Sequence, residues 1–212
     1  MPKENVFWSL ILILGLGCSH LNASESVQGN LVDRTSEVEI MVTPSSPIDS
    51  LDYPQLFAMG MGEQLLSSDE KVTQLEIFVR NAANAPYERL LAAELLYRKQ
   101  GYYQLDVAAM AELHAEAIKN ARMHNPWGLP GEPYDFGESL LSLGETVESA
   151  LKPLLTDTNK LVYFGSEEPT IAKMYNYRVA DLAASLLAAK FGIPFIDNRN
   201  SAERDEWIKE NF

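Results

Sequence analysis

The chain has 212 residues, of which 46% are hydrophobic, and its formal net charge is −13 at pH 7. This length and composition are ordinary for one globular domain with its own core. The strongly acidic balance argues against binding to nucleic-acid phosphates and against attachment to anionic lipids through basic residues.

The N-terminus has the organisation of an export signal. Lys3 precedes the apolar run VFWSLILILGL at residues 6–16, and small residues lead to Cys18, the only cysteine in the sequence. The stretch LGLGC at residues 14–18 resembles a bacterial lipobox. That resemblance implies a signal peptide at residues 1–17, cleavage before Cys18, lipidation of Cys18 and attachment of the mature protein to a membrane through this lipid.

Two alternatives to lipidation stay open, namely secretion without a lipid and an uncleaved N-terminal anchor. The apolar run of 11 residues is shorter than the roughly 20 residues that cross a bilayer as a helix. Ser19 follows the cysteine where some lipoproteins have aspartate. In lipoproteins of the enterobacterial type this resembles the outer-membrane sorting pattern, so the expected location is the bacterial cell envelope, at the outer membrane.

The segment after the cysteine is polar. Residues 18–50 are rich in Ser, Asn, Glu and Thr and contain Pro44 and Pro47. Such a composition is typical of a flexible tether. We therefore expect a lipidated cysteine and tether at residues 18–50, followed by a folded domain at residues 51–212.

From residue 51 onward the pattern is helical. Ser and Asp at residues 67–70 favour a helix start, Pro86 occupies a first-turn position, and Gly101 and Gly192 favour helix ends. Residues 161–164 are the one strand-like stretch of this region, and residues 125–133 form a loop with three prolines and two glycines. Predicted helices begin near 67 and cover 86–100, 105–123, 134–143, 145–155 and 168–191, with a last one from 201.

A short pattern occurs twice. LAAELL at residues 91–96 matches LAASLL at 182–187, with Arg89 or Arg178 before each copy and a glycine five residues after it. These segments resemble the second helix of HEAT-like repeats, and residues 145–155, with Pro153, resemble the first helix of such a repeat. The resemblance implies an all-α fold of stacked antiparallel helical hairpins, similar to an α-solenoid. A helical bundle with an Ala/Leu core is the alternative.

Residues with the spacing of a catalytic or metal site are not found. His20 lies in the tether, and His114 and His124 are ten positions apart, which does not place them on one ligating face of a helix. No serine or cysteine lies in a nucleophile motif. We therefore predict no catalytic residue, no metal ligand and no cofactor.

Aromatic residues concentrate in two loops. One loop carries Trp127 with Tyr134 nearby, and the other lies around residues 163–177. Aromatic loops at one end of stacked helices would form a binding edge, although the same side chains could instead plug the ends of helix pairs. The predicted binding residues are Trp127, Tyr134, Tyr163, Tyr175 and Tyr177.

These patterns together predict a non-enzymatic binding or scaffold protein of the cell envelope. Its partner would be an unidentified protein, its membrane attachment would be the lipid, and nucleic acid is not expected. The alternative is a small envelope hydrolase whose acidic and basic residues converge only in the fold.

Overall fold

Helices make up most of the part of the chain that the structure describes. The structure is a computed structural model, and it describes residues 46–48, 51–121, 125–163 and 167–212. A π-helical turn at Pro54–Ala58 precedes the first α-helix, and a 3₁₀ turn at Lys152–Leu154 follows the sixth. The α-helices are α1 (Met61–Leu65), α2 (Asp69–Arg80), α3 (Pro86–Gln100), α4 (Val107–Asn120), α5 (Asp135–Ser142), α6 (Thr146–Leu151), α7 (Glu168–Tyr175), α8 (Val179–Phe191) and α9 (Ser201–Asn211).

Local sequence explains several helix ends. The Ser68 hydroxyl accepts the Lys71 backbone N–H at 3.3 Å at the start of α2, and Pro86 occupies the first turn of α3. Gly101 ends α3 with a φ of 78°, in the left-handed region that glycine enters easily. The predicted helical class and the predicted starts of α2 and α3 are therefore confirmed.

The long helix predicted over residues 168–191 is wrong, because the chain breaks between α7 and α8. Asn176 ends α7 with a φ of 52°, and Arg178 is extended before α8 begins. The Asp181 carboxylate accepts the Arg178 backbone N–H at 2.8 Å, which fixes the new helix start.

The strand predicted at residues 161–164 is also wrong within the described residues 161–163. Lys160 forms a single β-bridge with Arg178, and the Leu161 N–H donates to the Tyr177 carbonyl at 3.1 Å. A short antiparallel pair occurs instead in the predicted loop, between β1 (Gly128–Leu129) and β2 (Glu132–Pro133).

The main core lies between the central helices. α3 packs against α2 and α4, while α6 packs against α4 and α8. The repeated Ala-Ala pairs lie fully buried in α3 and α8, and a smaller apolar cluster joins α8 to Ile208 of α9. Alanine side chains are small, so buried alanines allow neighbouring helices to pack closely.

The folded region extends further toward the N-terminus than expected. Ile48 is fully buried in the main core, although the tether was predicted to run to residue 50. The domain boundary at residue 51 is therefore corrected. Cys18 and the rest of residues 1–45 lie outside the described residues, and within the described ones no helix combines the length and the apolar character of a membrane span.

A buried ion network attaches α9 to α8. The Asp181 carboxylate accepts bonds from Arg178 at 2.8 and 3.1 Å and from Arg204 at 3.0 Å on each oxygen. Asp181 and Arg204 are both 0% exposed. Burial alone would raise the pKa of Asp181, but the hydrogen bonds from the two arginines outweigh it, so the pKa lies below its ordinary value. The carboxylate is thus held ionised inside the protein.

Candidate functional site

The two predicted aromatic loops meet at Tyr163. Its hydroxyl donates to the Gly128 carbonyl at 3.0 Å and so joins residues 160–163 to the hairpin β1–β2. Gly128 has a φ of 94°, and a Cβ at this position would lie 2.2 Å from the Glu132 carbonyl oxygen, so the tight hairpin requires glycine here. Tyr134 follows the hairpin immediately and is 57% exposed.

An open cleft lies between this hairpin and the N-terminal turn of the domain. We name it the acidic cleft; its volume is about 470 Å³. Aromatic walls and carboxylates surround it without a lysine or arginine among its described lining residues. The residues that define it here are Tyr53, Asn125, Glu132, Tyr134, Tyr163 and Glu168.

A second cleft lies on the other side of Tyr163. We name it the lysine cleft; its volume is about 380 Å³, and its walls include Lys160, Lys173 and Tyr177. Tyr163 lines both clefts. Tyr163 therefore lies between the acidic cleft, whose charged side chains are glutamates, and the lysine cleft, whose charged side chains are lysines.

The aromatic side chains around the acidic cleft are held in place. The Tyr53 and Tyr134 rings meet edge to face with centroids 6.5 Å apart, and the Tyr53 hydroxyl donates to Asp135, which also accepts a bond from Arg98. Burial raises the pKa of Tyr53 and of Tyr163. Both side chains therefore stay neutral phenols at physiological pH.

Trp127 does not belong to a binding edge, and this prediction is corrected. Its side chain is 0% exposed, its indole N–H donates to His114 Nδ1 at 3.1 Å, and its ring meets Phe136 edge to face at 6.0 Å. Gly137 lets α5 approach closely, since a Cβ there would lie 2.6 Å from the Trp127 carbonyl oxygen. Trp127 is a core residue that lies beneath the loop.

Tyr175 and Tyr177 stack on each other with centroids 5.1 Å apart. Tyr177 is only 3% exposed, and its hydroxyl donates to Asp197 at 2.6 Å. Arg199 lies over the Tyr175 ring at 5.5 Å. The pair mainly fastens the chain after α8 to the end of α7, and Tyr177 contributes to one wall of the lysine cleft.

A buried polar cluster, which the sequence did not predict, surrounds Glu94 of α3. Glu94 Oε1 accepts bonds from the Tyr103 hydroxyl at 3.0 Å and from the Ser139 hydroxyl at 2.7 Å. His114 Nε2 lies 3.3 Å from the same oxygen but outside hydrogen-bonding geometry. The only sequence signal was a glutamate inside an otherwise apolar LAAELL pattern.

This cluster does not have the arrangement of a nucleophile with its base. The Ser139 hydroxyl donates to the glutamate and lies next to the Tyr103 hydroxyl, and His114 Nδ1 accepts the Trp127 indole N–H. His114 is also 0% exposed. His124 lies outside the described residues, and among those described no three His, Cys, Asp or Glu side chains are grouped to hold a metal ion.

No protein-family model matches the chain, and comparison with curated proteins and with solved structures finds no significant match. The functional assignment therefore depends on the residues and the clefts described above.

Proposed function

We propose that this protein is a lipoprotein of the bacterial cell envelope whose helical domain binds a partner protein without catalysing a reaction. Cys18 carries the lipid and residues after it tether the domain to the outer membrane. The observation that carries the binding role is the convergence of Tyr134 and Tyr163, from two separate loops, on one open cleft. Tyrosine is enriched among the residues that dominate protein interfaces.

The proposed non-catalytic role has a specific basis. His114, the histidine that lies beside an acid, is covered completely, and both hydroxyls next to Glu94 donate to that acid. A general base needs access to a substrate proton. The charged groups at the clefts lie on the surface instead, as expected for recognition.

We further propose that the helices stack as antiparallel hairpins in the HEAT-like manner. Support comes from the two alanine pairs, Ala92–Ala93 and Ala183–Ala184, which are all 0% exposed. In such an arrangement the loops at one end of the stack form a continuous surface for a partner. Tyr134 and Tyr163 would lie in loops of this kind.

The binding role is tested by affinity capture from envelope extract with the full chain and with Tyr134→Ala. We expect the variant to recover at least about tenfold less of the partner, because a central aromatic contact contributes 2 kcal/mol or more, roughly, to an interface. Tyr102→Ala is the matched control, since Tyr102 is 56% exposed and does not line the acidic cleft. Equal recovery with both variants would contradict the proposed function.

The lipid anchor is tested separately by labelling with a fatty-acid analogue. Wild-type protein should take up label and partition into detergent, and Cys18→Ser should do neither. Label retained by the Cys18→Ser variant would contradict the proposed anchor.

A further inference from the structure

Two carboxylates at the acidic cleft lack a counter-charge. Within the described residues, Glu132 and Glu168 take part in no ion pair and no side-chain hydrogen bond. Both are exposed. Asp135, by contrast, lies behind Tyr53 and is already paired with Arg98. The cleft therefore presents negative charge that no described residue neutralises.

The same cleft has aromatic walls. Tyr53 and Tyr134 form one aromatic side, and Tyr163 contributes from another segment of the chain. The face of a neutral tyrosine ring attracts ammonium and guanidinium groups. Carboxylates next to aromatic faces therefore favour a cation, whereas an anionic ligand would be repelled by both glutamates and by the net charge of −13.

The third group at the cleft that bears on the ligand is the side-chain amide of Asn125. Asn125 lines the cleft and is only 4% exposed, and its Oδ1 accepts the Trp127 backbone N–H at 3.3 Å. Its Nδ2 has no hydrogen-bond acceptor among the described residues. A buried amide N–H₂ without an acceptor is unfavourable. The Nδ2 atom is covered in this structure. A turn of the Asn125 side chain toward the cleft would let a carbonyl oxygen of the ligand accept from it, so the fitting ligand combines a cation with a carbonyl.

We propose that the acidic cleft binds a lysine or arginine side chain of the partner polypeptide, with the cation between Glu132, Glu168 and the tyrosine faces and a neighbouring peptide carbonyl at Asn125 Nδ2. This inference depends on the proposed function, because it names the chemistry through which that partner is recognised. A free amine could satisfy the charges but would leave the Asn125 amide without an acceptor.

The test is a titration of the isotope-labelled full chain in detergent, followed by nuclear magnetic resonance. The probes are capped glycine-lysine-glycine and glycine-arginine-glycine peptides, the same peptide with neutral norleucine, and n-butylammonium, which has the cation without peptide carbonyls. We expect the two basic peptides to bind at least about tenfold more tightly than the norleucine peptide, and more tightly than n-butylammonium. Shifts should concentrate at residues around Tyr134 and Tyr163.

Substitutions assign the effect to the cleft. The double variant Glu132→Gln and Glu168→Gln should weaken lysine-peptide binding about tenfold, since it removes both charges while keeping the side-chain size. Both positions are exposed, so the fold should be kept, and circular dichroism checks this. Lys160→Gln, in the lysine cleft, is the matched control and should not weaken binding.

Four results would each overturn the proposal. The first two are binding of the norleucine peptide as tight as that of the lysine peptide, and binding of n-butylammonium as tight as that of the peptides. The others are unchanged lysine-peptide binding in the double variant and no binding of either basic peptide. If the peptides fail while Tyr134→Ala still abolishes partner capture, only this inference is lost. If Tyr134→Ala leaves capture unchanged, the proposed function is lost whatever the peptides do.

Discussion

Helices α3 and α8 carry nearly the same sequence pattern and hold buried polar groups of different kinds. Both have a buried arginine near their start, two fully buried alanines and a glycine end in the left-handed region. In α3 the polar group is Glu94 in the middle of the helix, surrounded by hydroxyls and His114. In α8 it is Asp181 in the first turn, between two arginines.

The difference shows that a shared apolar pattern does not determine which buried polar contacts a helix makes with its neighbours. Arg178 and Arg204 balance the Asp181 charge with several short bonds, so the network of α8 is ionic and well satisfied. The cluster of α3 uses mainly hydroxyl donors, and His114 Nε2 forms no hydrogen bond with any described residue. We therefore expect α8 to depend much more on its buried acid than α3 depends on any single partner of Glu94.

The largest expected effect is that of Asp181→Ala. It leaves Arg204 buried without its carboxylate, and breaking a buried ion pair in this way destabilises a protein by about 3–5 kcal/mol. Urea unfolding followed by circular dichroism measures the loss. Asp205→Ala is the control, because Asp205 also pairs with Arg178 but its side chain is 55% exposed, and it should lose about 1 kcal/mol or less. Equal losses would remove the distinction between buried and exposed acids.

Lowering the pH should destabilise the protein less than Asp181→Ala does. Protonation removes the charge of Asp181 but keeps its side chain. The pKa of Asp181 is lower in the folded than in the unfolded protein. Its contribution to stability is therefore complete above the unfolded pKa, about 3.9, and is lost as the pH falls below that value through the folded pKa. Unfolding free energies measured from pH 6 downward should fall less steeply for Asp181→Asn. If the unfolding free energies of the wild type and of Asp181→Asn fell equally with pH, this pH dependence would not come from Asp181.

Overpacking should affect the two helices alike. Ala92→Leu in α3 and Ala183→Leu in α8 each add volume at a fully buried position, and we expect each to destabilise by about 1–3 kcal/mol. Ala108→Leu, on the exposed face of α4, should change the urea midpoint little. A clear loss for one buried alanine and none for the other would show that only one copy lies at a close helix contact.

The smallest effect is expected at the cluster of α3. Ser139→Ala removes one hydroxyl donor to Glu94 while Tyr103 still donates, so the loss should be about 0.5–1.5 kcal/mol. Ser142→Ala, on the exposed side of α5, should be nearly neutral. A loss as large as that of Asp181→Ala would mean that Glu94 is as critical as the acid of α8, and the contrast between the helices would disappear.

Sequence reasoning succeeded where structure is decided locally. The ends of α2 and α3 follow from Ser68, Pro86 and Gly101, whose side chains or backbone freedom act within one turn. It failed at Asn176, whose left-handed conformation ends α7. Asparagine enters this conformation more readily than most residues, but a single asparagine inside an otherwise continuous apolar pattern is a weak signal.

The candidate site was predicted only in part for the same reason. Tyr134 and Tyr163 do line a common cleft, but Trp127 lies in the core although its loop is full of glycine and proline. The loop composition describes the backbone, whereas the burial of Trp127 depends on distant His114 and Phe136. The acids of the cleft, Glu132 and Glu168, come from the hairpin and from α7, and no short-range spacing in the sequence relates them.

The arginine that α9 contributes to the ion network has a consequence for amide hydrogen exchange. Terminal helices usually open locally and exchange early. Opening of α9 would pull the 0%-exposed Arg204 away from Asp181 and leave α8 with a partly unpaired buried carboxylate. Amides of α9 should therefore exchange together with those of α8, in one cooperative unit.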